Sequence, residues 1–307
     1  MEGGKQTVAL VAPGFAVASD ITETVVANLR GCGYGVKTFG TYEPADGRFA
    51  GRDAARAQHL MQAYLDQEVD AILCMRGGSG CSRLLDYVDF CAIARNPKPL
   101  IGYSDVTALH MAIQQLADTP VIHGPMGIDL QGAQAEQSLE ILRKIFVGQF
   151  NTELTEPDGI NIVQTGRFAG PLIGGNLTVF LSLIGTPEFH VPDGSVLFFE
   201  DVGEYDFRMD RAFVQLRRSG ILGKAGACLF GRTHLAGSED PEAFRQIAMA
   251  HLGNVGGPIA FDVPSAHNHM KMALPIGQVC QVSADARSLD LHFPPATAAV
   301  LHSGYTV

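Results

Sequence analysis

At 307 residues the chain has room for two modest domains or one large one. Its 46% hydrophobic and 18% charged content excludes a disordered chain, and a net charge of −10 excludes a general binder of nucleic acid or anionic membranes. An anionic substrate would have to be met by a local cluster of arginines.

The first elements alternate between strand and helix. Residues 7–12 (TVALVA) form a near-continuous apolar run ending in Pro13-Gly14, as in a buried parallel strand. Asp20 and Glu23 read as a capping box ahead of Val25, Val26 and Leu29. A second strand is expected at 35–39, a helix over 53–67 and a third buried strand at 71–75, followed by Arg76-Gly77-Gly78-Ser79-Gly80. The strand at 100–103 runs into Ser104-Asp105, with Val106, Leu109, Ile113 and Leu116 at helical spacing behind it. A strand near 121–123 and a helix around 138–146 follow. The alternation predicts an α/β fold, a doubly wound and mostly parallel sheet of Rossmann or flavodoxin type over residues 1–148, with sites at the strand C-termini.

Residues 149–167 are polar and punctuated by Gly and Pro, and are expected to be a linker. A second, mixed α/β and strand-rich, barrel-like domain is expected over 168–307. Within it, a glycine turn opens a buried helix at 172–185, strands lie at 195–200 and 227–230, and helices at 209–216 and 241–252. The tail alternates at 278–282 and 289–293, as half-buried antiparallel sheet does.

The six cysteines are scattered without CxxC pairs, and no His, Cys or acidic cluster has metal-ligand spacing, so neither metal nor cofactor is expected. The first six residues lack a signal-peptide pattern and no apolar run is long enough to span a bilayer, which makes the cytoplasm the expected location.

Several stretches carry possible chemistry. Ser104, between a strand and a helix, reads either as an N-cap or as a nucleophile whose oxyanion the first helical amides would catch. Thr107 stands where a capping box needs Glu or Gln, and Val106 where G-x-S-x-G needs its second glycine, so the stretch alone leaves both readings open. The 76–80 loop is neither G-x-G-x-x-G nor a P-loop. It is either a tight turn or a place where the Gly78 amide serves as an oxyanion donor, with Arg76 beside it as an anion contact. Glu200-Asp201-Val202-Gly203-Glu204 closes an apolar strand. Its acids could orient an imidazole, or could form a solvated loop in which Asp201 and Glu204 pair with Arg208 and Arg211. His267 lies in a loop and precedes Leu274-Pro275-Ile276-Gly277, whereas His110, His123, His190 and His234 read as packing or hydrogen-bonding residues.

Taken in order, these segments resemble the serine LD-carboxypeptidases, the muramoyltetrapeptide carboxypeptidase family. The resemblance rests on Ala12-Pro13-Gly14, Gly51-Arg52-Asp53 with Arg56, Arg76-Gly77-Gly78-Ser79-Gly80 with Arg83-Leu84-Leu85, Gly102-Tyr103-Ser104-Asp105, His123-Gly124-Pro125, Gly174-Gly175-Asn176-Leu177, Gly185-Thr186-Pro187, Glu200-Asp201 with Asp210-Arg211, and His267. It implies a Ser–His–Glu triad of Ser104, His267 and Glu200, with oxyanion donors at the Gly78 and Asp105 amides. It also implies release of terminal D-Ala from peptidoglycan tetrapeptides or muropeptides in murein recycling, and a homodimer. Arg76 and Arg232 are candidates for binding the substrate carboxylate, with Ser79 beside them. The chain departs from the family pattern at Ser79, where an aromatic is common, and at Ala266, where glycine is usual. A sister group cleaves the peptide-nucleotide microcin C, often with a stacking Trp, and this chain has no Trp. A non-catalytic protein binding ligands in its cleft is the rival of another class.

Overall fold

A computed structural model describes residues 6–42, 45–238, 240–267, 269–270 and 272–294, without the side chains of Ala266 and His269. The leader reading at the extreme N-terminus and the Ala266 departure lie outside the described residues. The chain divides into two compact units, Met1–Val147 and Gly148–Val307.

In the first unit, β1 (Thr7–Val11), α1 (Ser19–Gly31), β2 (Gly35–Phe39), α2 (Asp53–Leu65), β3 (Ala71–Cys74), α3 (Phe90–Arg95), β4 (Leu100–Gly102), α4 (Thr107–Ala117), β5 (Val121–His123) and α5 (Ala135–Phe146) follow in turn. The strands pair in parallel, with β1 between β2 and β3, β4 beside β3 and β5 beside β4. This 2-1-3-4-5 order is the flavodoxin-type winding, whose ligand crevice opens at the strand C-termini beside β1 and β3. The turns at Pro13, Arg76 and Ser104 all leave that edge. The residues of β3 and β4 are buried throughout, which is why they read as unbroken apolar runs.

Local details differ from expectation. α1 starts at Ser19, so Asp20 falls in its first turn, Ala18 occupies the cap position and no side chain closes a capping box. Leu116 is 41% exposed, while Val106, Leu109 and Ile113 are fully buried.

His110 on α4 is buried with its Nε2 unpartnered among the described residues. Burial pulls its pKa down from 6.5 to about 3, against a hydrogen bond with the Leu100 backbone. Below pH 6.5 the unfolded chain takes up a proton that the folded chain refuses until about pH 3, so stability falls as pH falls through that window. This histidine alone is expected to remove about 2 kcal/mol between pH 7 and pH 5. Urea unfolding of His110→Gln should lose that share of the pH dependence, and a slope identical to wild type would refute the assignment.

The second unit contains β6 (Thr152–Thr155), β7 (Asn161–Gln164), β8 (Gly166–Asn176), α6 (Leu177–Ser182), β9 (Ser195–Glu200), β10 (Val202–Tyr205), α7 (Asp206–Arg218), β11 (Ala225–Gly231), β12 (His234–Ala236), α8 (Ala243–Leu252), β13 (Ile259–Val263), β14 (Ser265–Ala266), β15 (His269–Met270), β16 (Leu274–Ile276), β17 (Val279–Ala284) and β18 (Ser288–His292). Its eight-stranded sheet runs β6-β18-β17-β8-β9-β11-β13-β7. The central β8, β9, β11 and β13 are parallel, and the outer strands pair antiparallel.

Two expectations are corrected here. Residues 149–167 are not a linker: they carry β6 and β7, the two edges of the sheet, and edge strands need only a few buried side chains. Residues 172–176 are not a glycine turn but the end of β8. A Cβ on Gly174 would lie 1.8 Å from the Phe198 carbonyl, so glycine is needed there for close approach to β9. Among the described residues no helix is long and apolar enough to cross a membrane.

Candidate active site

Ser104 opens a 3₁₀ turn, Ser104–Val106, that joins β4 to α4. Its φ is +62°, in the left-handed region that a non-glycine residue occupies at a cost of roughly 1–3 kcal/mol. The cap position belongs to Tyr103, in extended backbone, and no side chain makes a cap hydrogen bond. The N-cap reading of Ser104 therefore fails, and the backbone is that of a strained strand-to-helix elbow. Tyr103, Asp105 and Val106 are buried around it, while Ser104 keeps partial exposure.

The glycine loop lies directly against this turn. A Cβ on Gly77 would stand 3.0 Å from Ser104 Cβ and 3.2 Å from both Ser104 Oγ and the Asp105 nitrogen, so a side chain there would crowd the hydroxyl. The Gly77 carbonyl accepts the Phe15 N–H at 3.1 Å. In a planar trans peptide this turns the Gly78 N–H away from Phe15, and Gly78 is solvent-exposed at φ +101°. The Asp105 carboxylate accepts the Cys81 N–H at 2.8 Å, tying the far end of the loop to the elbow. Arg76 is half-buried, its guanidinium 5.6 Å from the Phe15 ring centroid and its Nε without a hydrogen-bond partner among the described residues. Ser79 is exposed.

In the second unit Glu200 ends β9 and is fully buried, which excludes the solvated-loop reading for this residue. Its Oε2 lies 2.5 Å from His267 Nδ1 and 3.4 Å from the His267 backbone nitrogen, while Oε1 has no hydrogen-bond partner among the described residues. With Nδ1–H donating to the carboxylate, Nε2 carries the basic lone pair. The imidazole is 17% exposed, enough for that nitrogen to meet a reacting group.

The neighbouring acids divide differently from expectation. Asp201 pairs with no arginine among the described residues. It accepts hydrogen bonds from Asn176 Nδ2 (3.0 Å), the Thr178 N–H (2.9 Å), Thr178 Oγ1 (2.7 Å) and the Val202 N–H (2.8 Å), and burial pushes its pKa up against these bonds. Asn176 also caps α6 by accepting the Val179 N–H at 3.1 Å. Asn176 and Thr178, to which sequence reasoning gave no role in the site, thus hold the start of α6 to the residue after Glu200. Their only signal was a capping-type Asn ahead of an apolar run. Glu204 does pair with Arg208, at 3.6 Å, but Arg211 stacks on Phe207 at 5.1 Å instead. Arg232 pairs with Asp262 at 3.5 Å, and Asp262 is itself left-handed at φ +61°.

Family models described as the LD-carboxypeptidase N-terminal domain and the LD-carboxypeptidase C-terminal domain match residues 8–124 and 169–282. The chain belongs to the LD-carboxypeptidase family. It is, with that family, a serine-type carboxypeptidase, a hydrolase. The murein tetrapeptide carboxypeptidase of Pseudomonas aeruginosa is 32% identical to it, over 88% of this chain and 91% of that one. The crystal structure of a muramoyltetrapeptide carboxypeptidase from Oxalobacter formigenes superposes with a TM-score of 0.81 at 26% identity, over 94% of this chain and all of that one. The microcin C7 self-immunity protein MccF superposes with a TM-score of 0.85 at 21% identity, over 95% and 97% of the two chains, a likeness of fold. Both LD-carboxypeptidase domains thus cover the elements that carry Ser104 in one unit and Glu200 in the other.

Proposed function

We propose that this LD-carboxypeptidase removes the terminal D-Ala from peptidoglycan-derived tetrapeptides, free or as muropeptides, in cytoplasmic murein recycling. The observation that carries the reading is the buried Glu200 carboxylate on His267 Nδ1 at 2.5 Å, which leaves Nε2 as a base. Ser104 Oγ attacks the carbonyl between the L-centre of diaminopimelate and D-Ala, and its proton passes to His267 Nε2. The Gly78 and Asp105 N–H groups stabilise the oxyanion, each typically worth about 3 kcal/mol. The same proton moves to the D-Ala nitrogen as the C–N bond breaks, and water, deprotonated by His267, then releases the acyl group from Ser104. A free substrate carboxylate suits a guanidinium with unused donors. Arg76 is our assignment, with Ser79 beside it, and Arg232 serves as a second contact on release from Asp262. The working form is a homodimer.

A peptidyl-nucleotide hydrolase of the microcin C type would use the same three residues. The MccF likeness of fold favours it, and the lack of any Trp to stack on a base weighs against it. Incubating the protein with L-Ala-γ-D-Glu-meso-diaminopimelate-D-Ala and, separately, with a peptidyl-adenylate analogue decides between them. We expect D-Ala release with kcat/KM at least a hundredfold above cleavage of the nucleotide, and the reverse preference would overturn the proposal.

A further inference from the structure

Arg56 sits in the first turn of α2, a surface-type residue in an amphipathic helix, yet it is 1% exposed. Its guanidinium donates to four acceptors from three stretches of chain. Nε donates to the Gly51 carbonyl (3.2 Å), one terminal nitrogen to the carbonyls of Gly80 (3.1 Å) and Pro13, and the other to the Asp53 carboxylate. Its guanidinium carbon lies 5.0 Å from the Phe49 ring centroid, as does that of Arg83, which also pairs with Asp53.

Two of those acceptors are the anchors of the glycine loop. Gly80 follows Gly78 by two residues. Pro13 precedes Phe15 by two, and Phe15 both donates its N–H to the Gly77 carbonyl and packs its ring on Gly78, where a Cβ would stand 2.4 Å from the ring. Gly14 passes so close to the Gly77 carbonyl that a Cβ would lie 2.6 Å from it. The direction of the Gly78 N–H is thus set by a peptide held on one side through Pro13–Phe15 and on the other through Gly80, and both holds converge on one guanidinium.

We propose that Arg56 is a positioning residue of the reaction, one that aims the Gly78 N–H at the oxyanion without touching substrate. The inference rests on the reading of Ser104 as nucleophile and Gly78 as donor. A lysine cannot replace it, because a compact ammonium on a flexible stem cannot present a planar fork to three carbonyls and a carboxylate at once. Misplacement by about 1 Å costs on the order of a hundredfold in rate, and an oxyanion donor acts on the transition state and not on ground-state binding.

The test is steady-state release of D-Ala from the tetrapeptide by Arg56→Lys and Asp53→Asn, with Ser104→Ala alongside and circular dichroism as the check of folding. Arg56→Lys should lose ten- to a hundredfold in kcat with KM within threefold of wild type. Asp53→Asn, which weakens the grip on Arg56 without emptying its site, should lose severalfold in kcat and also spare KM. If Arg56→Lys does not fold, Asp53→Asn decides alone. A folded variant with wild-type kcat, or one whose loss falls on KM, overturns the positioning role. Turnover surviving in Ser104→Ala would instead overturn the reading on which it rests.

Discussion

Ser104→Ala is expected to lower kcat for D-Ala release by roughly 10⁴- to 10⁶-fold, the range in which removal of an activated serine leaves only the contribution of binding and the oxyanion donors. The fold should not suffer. The substitution removes one partly exposed hydroxyl, and such changes ordinarily shift stability by no more than about 0.5 kcal/mol. A sharper contrast comes from Ser104→Gly. Glycine accepts φ near +62° without the steric penalty that serine bears, so this variant should be as inactive as the alanine and more stable than wild type by roughly 1 kcal/mol. A residue selected for folding would not behave in this way, because a capping serine loses stability on mutation to alanine. Mass spectrometry of released D-Ala together with thermal unfolding of the three proteins settles the matter. Alanine retaining a tenth or more of wild-type turnover, or glycine melting below wild type, would contradict the strained-nucleophile account.

The conformation of Ser104 also shows why sequence alone stops short. Nothing about a serine in Gly102-Tyr103-Ser104-Asp105 marks a left-handed backbone, since the residue type ordinarily found there is glycine. The strain is enforced from outside, by Gly77 pressed against Ser104 and by the Asp105 carboxylate holding the Cys81 amide. Buried parallel strands were legible because burial on both faces writes an unbroken apolar run, and β9 emerges over the residues expected of it, 195–200. Edge strands β6 and β7 were not, because Thr152–Thr155 buries only Leu154 and Asn161–Gln164 buries none of its four residues, which leaves no run to see. Arg56 was visible only as part of a family resemblance. An arginine on a helix reads as solvated, and it is the carbonyls of Pro13, Gly51 and Gly80, distant in sequence from one another, together with the Asp53 carboxylate, that make its burial affordable. The acids at the end of β9 were recognisable as a group, but which one faces the imidazole depends on Asn176 and Thr178 claiming Asp201.

That division of labour makes Glu200→Gln the most discriminating change in the second unit. Two donors, the Nδ1–H and the backbone N–H of His267, converge on Oε2, so the amide would turn its carbonyl oxygen toward the histidine and its NH₂ into the place where Oε1 has no partner among the described residues. The imidazole would keep its orientation and its tautomer but lose the negative charge that stabilises it once it has taken the serine proton. We expect kcat to fall by roughly 10³-fold with KM within a few-fold of wild type. Stability should move the other way. A fully buried carboxylate carries a desolvation cost that a neutral amide of the same shape largely avoids. Glu200→Gln should therefore melt at or above the wild-type temperature while losing turnover. Were Glu200 a structural anchor for the His267 loop, the same variant would melt lower and keep kcat. The pairing of lost activity with preserved or raised melting temperature is the signature of a carboxylate kept for its charge beside a histidine that must become positive during the reaction.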